Sequence, residues 1–267
     1  MRGRPEETWV SLFLIHNKMN EKEKIKMLKI EKFVTASPEQ WKMIIEGMRN
    51  PLNSWDKSDS FTCEEDVECN PNCPYTSNPG SCPVYDLNPD FIIGQNDHSL
   101  MERLDNAGTE HRKFMRMIPV WVTLSAPLYW WKEADTYKVG TVRNSCSTMH
   151  KIQAKEFTHE DFSCEHMNQR SSLHLKDTID LLNDYREKYL VAVKTEPETG
   201  LSAKDVWWQM IQLLPSSYNQ KATLFLNYEV LSNMYHQRKN HKLDEWHTFC
   251  DWIRELPYSE LITREFE

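Results

Sequence analysis

Apolar residues recur along this chain at two periods, and the change from one to the other lays out the elements. Ser37-Pro38-Glu39-Gln40 is a capping box with proline at the first helical position, and Trp41, Ile44, Ile45 and Met48 follow at helical spacing. A second helix is expected from near Asp97, carrying Leu100, Met101 and Leu104 to a stop at Gly108. The period then becomes two. Ile118, Val120, Val122 and Leu124 alternate as a strand, and Pro119 inside that run predicts an edge or irregular strand. Ala126-Pro127 opens another helix through Tyr129, Trp130, Trp131 and Ala134, and residues 136–150 form a polar stretch containing Gly140. His174 to Leu190 reads as a long helix, and Ser202 with Asp205 caps another that reaches Leu214. Thr223 to Leu226 is a short β-prone run. The last two helices are expected from Asn227 to Arg238 and from Leu243 to Ile253. The sum is an α+β fold, helix-rich, with a small, mainly antiparallel sheet.

Composition supports a packed core: the 267 residues are 39% hydrophobic and include ten each of Trp, Tyr and Phe. Residues 1–26 contain the charged run Asn20 to Lys26 and read as a flexible extension; a strand starts afresh at Met27 to Phe33, opening a single domain over 27–267. The net charge is −8 and the basic residues are not gathered into one arm, which disfavours a nucleic-acid polymer as partner. A mononucleotide needs only one or two cations and remains compatible. Only seven glycines are present and neither dinucleotide nor P-loop glycine motif occurs. No apolar run approaches the roughly 18–20 residues that span a bilayer. Trp9 to Ile15 is too short, follows Glu6 and Glu7 and leads to no small-residue cleavage site, so a cytoplasmic protein without membrane attachment is expected.

Four of the seven cysteines, Cys63, Cys69, Cys73 and Cys82, fall in a proline-rich insertion at about residues 60–85. Their spacing is not a paired CxxC arrangement. Four thiolates in a turn-rich loop suit a structural Zn ion in a reducing compartment; free thiols in an exposed insertion, or disulfides in an oxidising one, fit the same spacing.

The most informative stretch is Asn227-Tyr-Glu-Val-Leu-Ser-Asn233-Met-Tyr-His-Gln-Arg238, lying behind a Leu214-Pro215 break. Upstream, Gly108-Thr-Glu-His111 precedes the strand, Ala126-Pro127 follows it, and Thr141-Val-Arg-Asn144-Ser145-Cys146-Ser147 comes next. This order resembles the flavin-dependent thymidylate synthases over roughly residues 97–150 and 207–250. The resemblance implies an α+β homotetramer with active sites at subunit junctions. In that family reduced FAD assists transfer of a one-carbon unit from methylenetetrahydrofolate to C5 of dUMP, with NADPH as reductant.

Carried over residue by residue, the resemblance puts Arg238 against the pyrimidine, where a permanently charged guanidinium polarises N3 and O4. Lys132, Glu133, Asn144, Ser145 and Ser147 fall at the nucleotide. His111, Lys138, Asn227 and Asn233 fall around the flavin. Four of them have a plainer reading: Arg238 as complement to a helix C-terminus, Asn227 as a cap, Asn233 as an exposed side chain, His111 as structural. Arg112 and Lys113 beside His111 are further candidates for a phosphate. Cys146 is a candidate nucleophile for C6, although the Ser-Cys-Ser segment also reads as a turn.

Several positions depart from the family pattern. Lys132-Glu133 stands where Arg-Gln would be, Thr136-Tyr137-Lys138 replaces an Arg-His-Arg triplet, and Ser145 replaces a Glu. Ile211 and Glu229 stand where two further arginines would be, and Met149 replaces the Arg before a Tyr. An ammonium does not reproduce bidentate guanidinium geometry. Two alternatives follow: an enzyme on a related pyrimidine nucleotide, such as a hydroxymethylase, or a non-catalytic nucleotide-binding homologue.

Overall fold

The computed structural model describes residues 28–62, 91–195 and 200–265. The extension at 1–26 and the cysteines Cys63, Cys69, Cys73 and Cys82 lie outside them. Strand β1 (Lys29–Val34) leads to helix α1 (Pro38–Arg49), then the short strands β2 (Phe61–Thr62) and β3 (Phe91–Ile92). Helix α2 (Gln95–Asn106) precedes β4 (Pro119–Pro127), α3 (Leu128–Ala134) and β5 (Val142–Ser145). The long α4 (Gln169–Ala192) and α5 (Ala203–Leu213) follow, then β6 (Asn219–Asn227), α6 (Tyr228–Arg238), α7 (Asp244–Arg254) and a short α8 (Glu260–Thr263). Among the described residues no helix is long and apolar enough to cross a membrane, and no group of three His, Cys, Asp or Glu side chains is placed to hold a metal.

The main sheet is antiparallel in the order β1-β4-β6-β5. The α+β architecture is therefore as expected. Strand β4 is central, which corrects the edge position expected from Pro119. That proline is the first residue of the strand, opposite Asn227, where a missing N–H removes no interior ladder bond. Strand β5 arises inside the polar stretch 136–150, and β6 is nine residues long rather than the four-residue run expected.

Val120, Val122, Leu124 and Ala126 of β4 and Ala222, Leu224 and Leu226 of β6 share the buried face. Onto it pack Trp130 and Trp131 of α3 and Trp246 and Phe249 of α7. Helices α4 and α5 close a second cluster around Phe157, Phe162, Leu182 and Met210.

One charged pair sits within the fold rather than at a site. Arg49 Nε donates to Asp97 Oδ1 at 2.6 Å, and Asp97 Oδ2 accepts from Ser58 Oγ, Ser60 Oγ, Asp59 N and Ser60 N. Burial pushes the Asp97 carboxyl up, but the hydrogen bonds from Ser60, Ser58 and Arg49 outweigh it and hold the group below its ordinary range.

Candidate functional site

Helix α6 begins where the sequence places it, with Asn227 Oδ1 accepting from Val230 N at 3.0 Å. Val230, Leu231, Met234 and Tyr235 bury against the core, which fixes the rotation of the helix and puts Arg238 in its last turn. There the guanidinium is held from several sides. Its Nε donates to Tyr137 Oη at 2.9 Å, and its Nη1 donates to Glu133 Oε2 at 3.0 Å. Its Cζ lies 5.0 Å from the ring centre of Trp246 and 5.6 Å from that of Tyr137.

Glu133 Oε2 is crowded with donors. Trp246 Nε1 reaches it at 3.0 Å and His241 Nε2 at 3.3 Å. His241 Nδ1 accepts from the backbone N–H of Leu243 at 3.2 Å, which assigns the ring proton to Nε2, the nitrogen that faces Glu133. The Tyr137 hydroxyl donates to Gln237 Oε1 at 2.9 Å. Among the described residues, Glu133 Oε1 and Arg238 Nη2 have no hydrogen bond. Glu133 is about one-third exposed (34%) and Arg238 19%, so this donor and this acceptor face accessible space.

Two cavities flank the cluster. One, of about 310 Å³, lies behind Tyr137 and is lined by Lys138, Thr141, Arg143 and the aromatic rings of Trp130 and Trp131. The other, of about 480 Å³, opens beside His241 against α7. Its cations are engaged, Lys239 with Glu265 and Arg254 with Asp251, and burial pushes its Cys250 thiol up to about 11. That thiol is no nucleophile near neutral pH.

The remaining candidates are placed as follows. Gly140 adopts φ +76°, and a Cβ there would stand 2.7 Å from Asn227 Nδ2, so the loop carrying Lys138 passes directly over the start of α6. Lys138, Lys132 and Asn233 are exposed. Asn144 and Ser145 lie on β5, opposite Thr223 and Ala222 of β6. Ser147 Oγ accepts from His150 N at 3.0 Å, the turn role expected of that segment, and Cys146 is exposed. His111 is exposed in the turn after Gly108. Neither cavity beside Arg238 is lined by Ser145 or Ser147, so a single chain does not gather these groups around either cavity.

Arg112 corrects an expectation. It is buried, bonded to Asp105 at 3.2 Å and to Glu229 at 2.9 Å, and its guanidinium is committed to the interior rather than to a phosphate. Burial pushes the Asp105 carboxyl up despite that pairing. Glu229, a departure from the family pattern, thus has a structural partner. Sequence reasoning missed Tyr137, Trp246 and His241 as companions of Arg238. Tyr137 stood only as a substitute within a lost triplet, and Trp246 lay unremarked within the helix expected from Leu243 to Ile253.

Compared with solved structures, the fold is similar to that of the flavin-dependent thymidylate synthase ThyX of Helicobacter pylori. Two structures of that enzyme, both with FAD and dUMP, match with a TM-score of 0.53 and 12% identity, covering 89% of this chain and 97% of theirs. The likeness covers nearly the whole of both chains, and at this identity it concerns the fold. No family model and no curated protein sequence matches.

Proposed function

We propose that the chain is a flavin-dependent enzyme acting at C5 of a pyrimidine nucleotide, with dUMP as substrate, methylenetetrahydrofolate as one-carbon donor and NADPH as reductant. The observation that carries this is the pinned Arg238–Glu133 pair at the end of α6, on a fold similar to a synthase solved with FAD and dUMP. Its open Nη2–H and Oε1 form one donor beside one acceptor, complementary to the O4 and N3–H edge of uracil. Arg238 draws electron density toward O4, and Glu133 orients the ring through N3–H. Trp246, Tyr137 and His241 hold the pair in place, so little reorganisation is needed when the ring arrives.

The same edge fits N3 and N4–H of cytosine, with donor and acceptor exchanged between the ring positions. This favours a related pyrimidine nucleotide as the second reading. Asn144, Ser145 and Ser147 would meet the nucleotide from another copy of the chain in a tetramer, since within one chain they line neither cavity beside Arg238. Lys132 is exposed on α3 and would approach the same nucleotide from that side.

The fit to flavin is partial. In the segment 136–138 only Lys138 is a cation, the Thr136 hydroxyl is turned onto Glu133 O at 2.7 Å, and the Tyr137 hydroxyl is used by Arg238 and Gln237. Lys138, on the loop that passes Asn227 at Gly140, would give one phosphate contact and Asn227 one amide contact; Asn233 and His111 would add polar contacts from exposed positions. When bound, the flavin supplies the reducing equivalents. Absorbance near ~450 nm in the purified protein, and release of tritium from [5-³H]dUMP, test the reading. A colourless protein that neither takes up added FAD nor releases tritium rejects it.

A further inference from the structure

One buried carboxyl is used neither by the Arg238 cluster nor by the ion pairs of the interior. Glu245, in the first turn of α7, is 1% exposed, and no Lys, Arg or His comes within ion-pair distance of it among the described residues. Asp244 beside it faces His166 and His247 instead. Glu245 Oε1 is bonded to the Tyr129 hydroxyl of α3. Tyr129 Oη lies 2.9 Å from Ser163 Oγ, and Ser163 Oγ donates to Glu165 Oε2 at 3.0 Å. The chain Glu245–Tyr129–Ser163–Glu165 thus runs from the interior to an exposed carboxylate.

The three contacts of this chain need three hydrogens, and its two hydroxyls supply two. The third comes from a carboxyl. Burial selects Glu245, because an unpaired carboxylate is costly to desolvate, whereas Glu165 is solvated. The amide end of α7 favours a negative charge there, but by less than that desolvation costs. Burial, and then the bond to Glu245, push the Tyr129 hydroxyl up, so the phenol keeps its own proton. With a proton on Glu245 every link has one donor: Glu245 to Tyr129, Tyr129 to Ser163, and Ser163 to Glu165.

Tyr129 and Glu133 are four residues apart on α3, so their side chains are neighbours on one face. Glu133 Oε2 accepts from Trp246 Nε1 at 3.0 Å, and Trp246 follows Glu245 on α7. Two adjacent bonds therefore join α3 to the start of α7, Tyr129 to Glu245 and Glu133 to Trp246. Ser163 extends the tie, since its N–H donates to Ser217 O at 2.8 Å. We propose that Tyr129 and Glu245 are positioning residues for the Glu133–Arg238 pair, acting through a hydrogen-bonded chain that contains one carboxyl proton. This deepens the pyrimidine reading and rests on it for the role of Glu133. Loss of the Tyr129–Glu245 bond lets the first turn of α7 shift against α3, and Glu133 Oε2 then loses the Trp246 donor.

The test uses the full chain and the variants Tyr129→Phe, Glu245→Gln and Arg238→Ala, each first shown to be folded by near-UV circular dichroism. If Tyr129→Phe is not folded, Ser163→Ala breaks the same chain one link further out and is read in its place. Infrared spectroscopy should show the C=O stretch of a protonated carboxyl in the wild type that is missing from Glu245→Gln. The indole N–H signal of Trp246 in NMR, assigned by its loss in Trp246→Phe, reports the bond to Glu133 without any ligand. In Tyr129→Phe that signal should move and exchange faster with solvent, and dUMP should bind about tenfold more weakly by calorimetry, the size of one lost hydrogen bond. Glu245→Gln keeps a neutral donor to Tyr129, so the exchange rate and the dUMP affinity should stay within about twofold of the wild type. An infrared spectrum that loses no carboxyl band in Glu245→Gln overturns the inference, as does a Trp246 signal unmoved in Tyr129→Phe. If dUMP affinity falls in Arg238→Ala but not in Tyr129→Phe, the pyrimidine reading stands and this inference fails. If the Trp246 signal moves in Tyr129→Phe while dUMP affinity ignores Arg238→Ala, Glu133 is positioned as inferred and the pyrimidine reading fails.

Discussion

Two arginine–carboxylate pairs in this molecule, one at 2.6 Å and one at 3.0 Å, have opposite surroundings. Arg49 and Asp97 are 4% and 0% exposed, and both carboxylate oxygens are occupied, one by the guanidinium and the other by two hydroxyls and two backbone N–H groups. Arg238 and Glu133 are 19% and 34% exposed, and all the donors crowd onto one oxygen. A pair closed on every side has no valence left for a ligand and serves to join α1 and α2 to the segment that precedes β2. A pair held rigidly on one side and open on the other is suited to recognition. The difference lies in which atoms remain unspent, not in residue type.

The contrast can be broken most severely at the closed pair. Asp97→Asn leaves Arg49 buried without a counter-charge and should lower unfolding stability by about 3–5 kcal/mol in urea titration. A loss no larger than that of Glu133→Gln would erase the distinction. At the open pair the damage should appear in function. Arg238→Ala should reduce turnover of dUMP by about 10²–10³-fold, the usual effect of removing one preorganised donor, while changing stability by less than about 1 kcal/mol. Glu133→Gln keeps the shape but not the charge, and dUMP should bind about tenfold more weakly by calorimetry.

The smallest effect concerns pH. The Asp97 carboxyl is held below its unfolded value of 3.8, so its contribution to stability is present above that value and is lost as pH falls through the folded one. Acid titration of unfolding stability should therefore show a steeper fall below about pH 4 in the wild type than in Asp97→Asn. Equal slopes would mean that the carboxyl is not held low by Ser60, Ser58 and Arg49.

The helices were legible wherever a cap and a periodic apolar face coincide, as at Ser37, Ser202 and Asn227. Strand β5 was not, because its residues alternate between exposed and half-buried and so carry no apolar period. The central place of β4 was hidden by Pro119, whose effect depends on whether it starts a strand or interrupts one. At the candidate site, Arg238 and Glu133 were both identifiable from the family pattern, and the structure joins them although 105 positions separate them. Arg112 shows the opposite limit: adjacency to His111 gave no sign that the turn at Lys113–Met117 sends its guanidinium inward to Asp105 and Glu229. Long-range partners of charged side chains depend on tertiary packing, which local pattern does not encode.

The account stands most directly on the affinity of dUMP for Arg238→Lys, which keeps the positive charge but loses the planar fork. If the guanidinium is shared between Glu133, Tyr137 and the pyrimidine, binding measured by calorimetry should weaken by at least about tenfold while the thermal midpoint stays unchanged. Affinity equal to that of the wild type, in a folded variant, would contradict it.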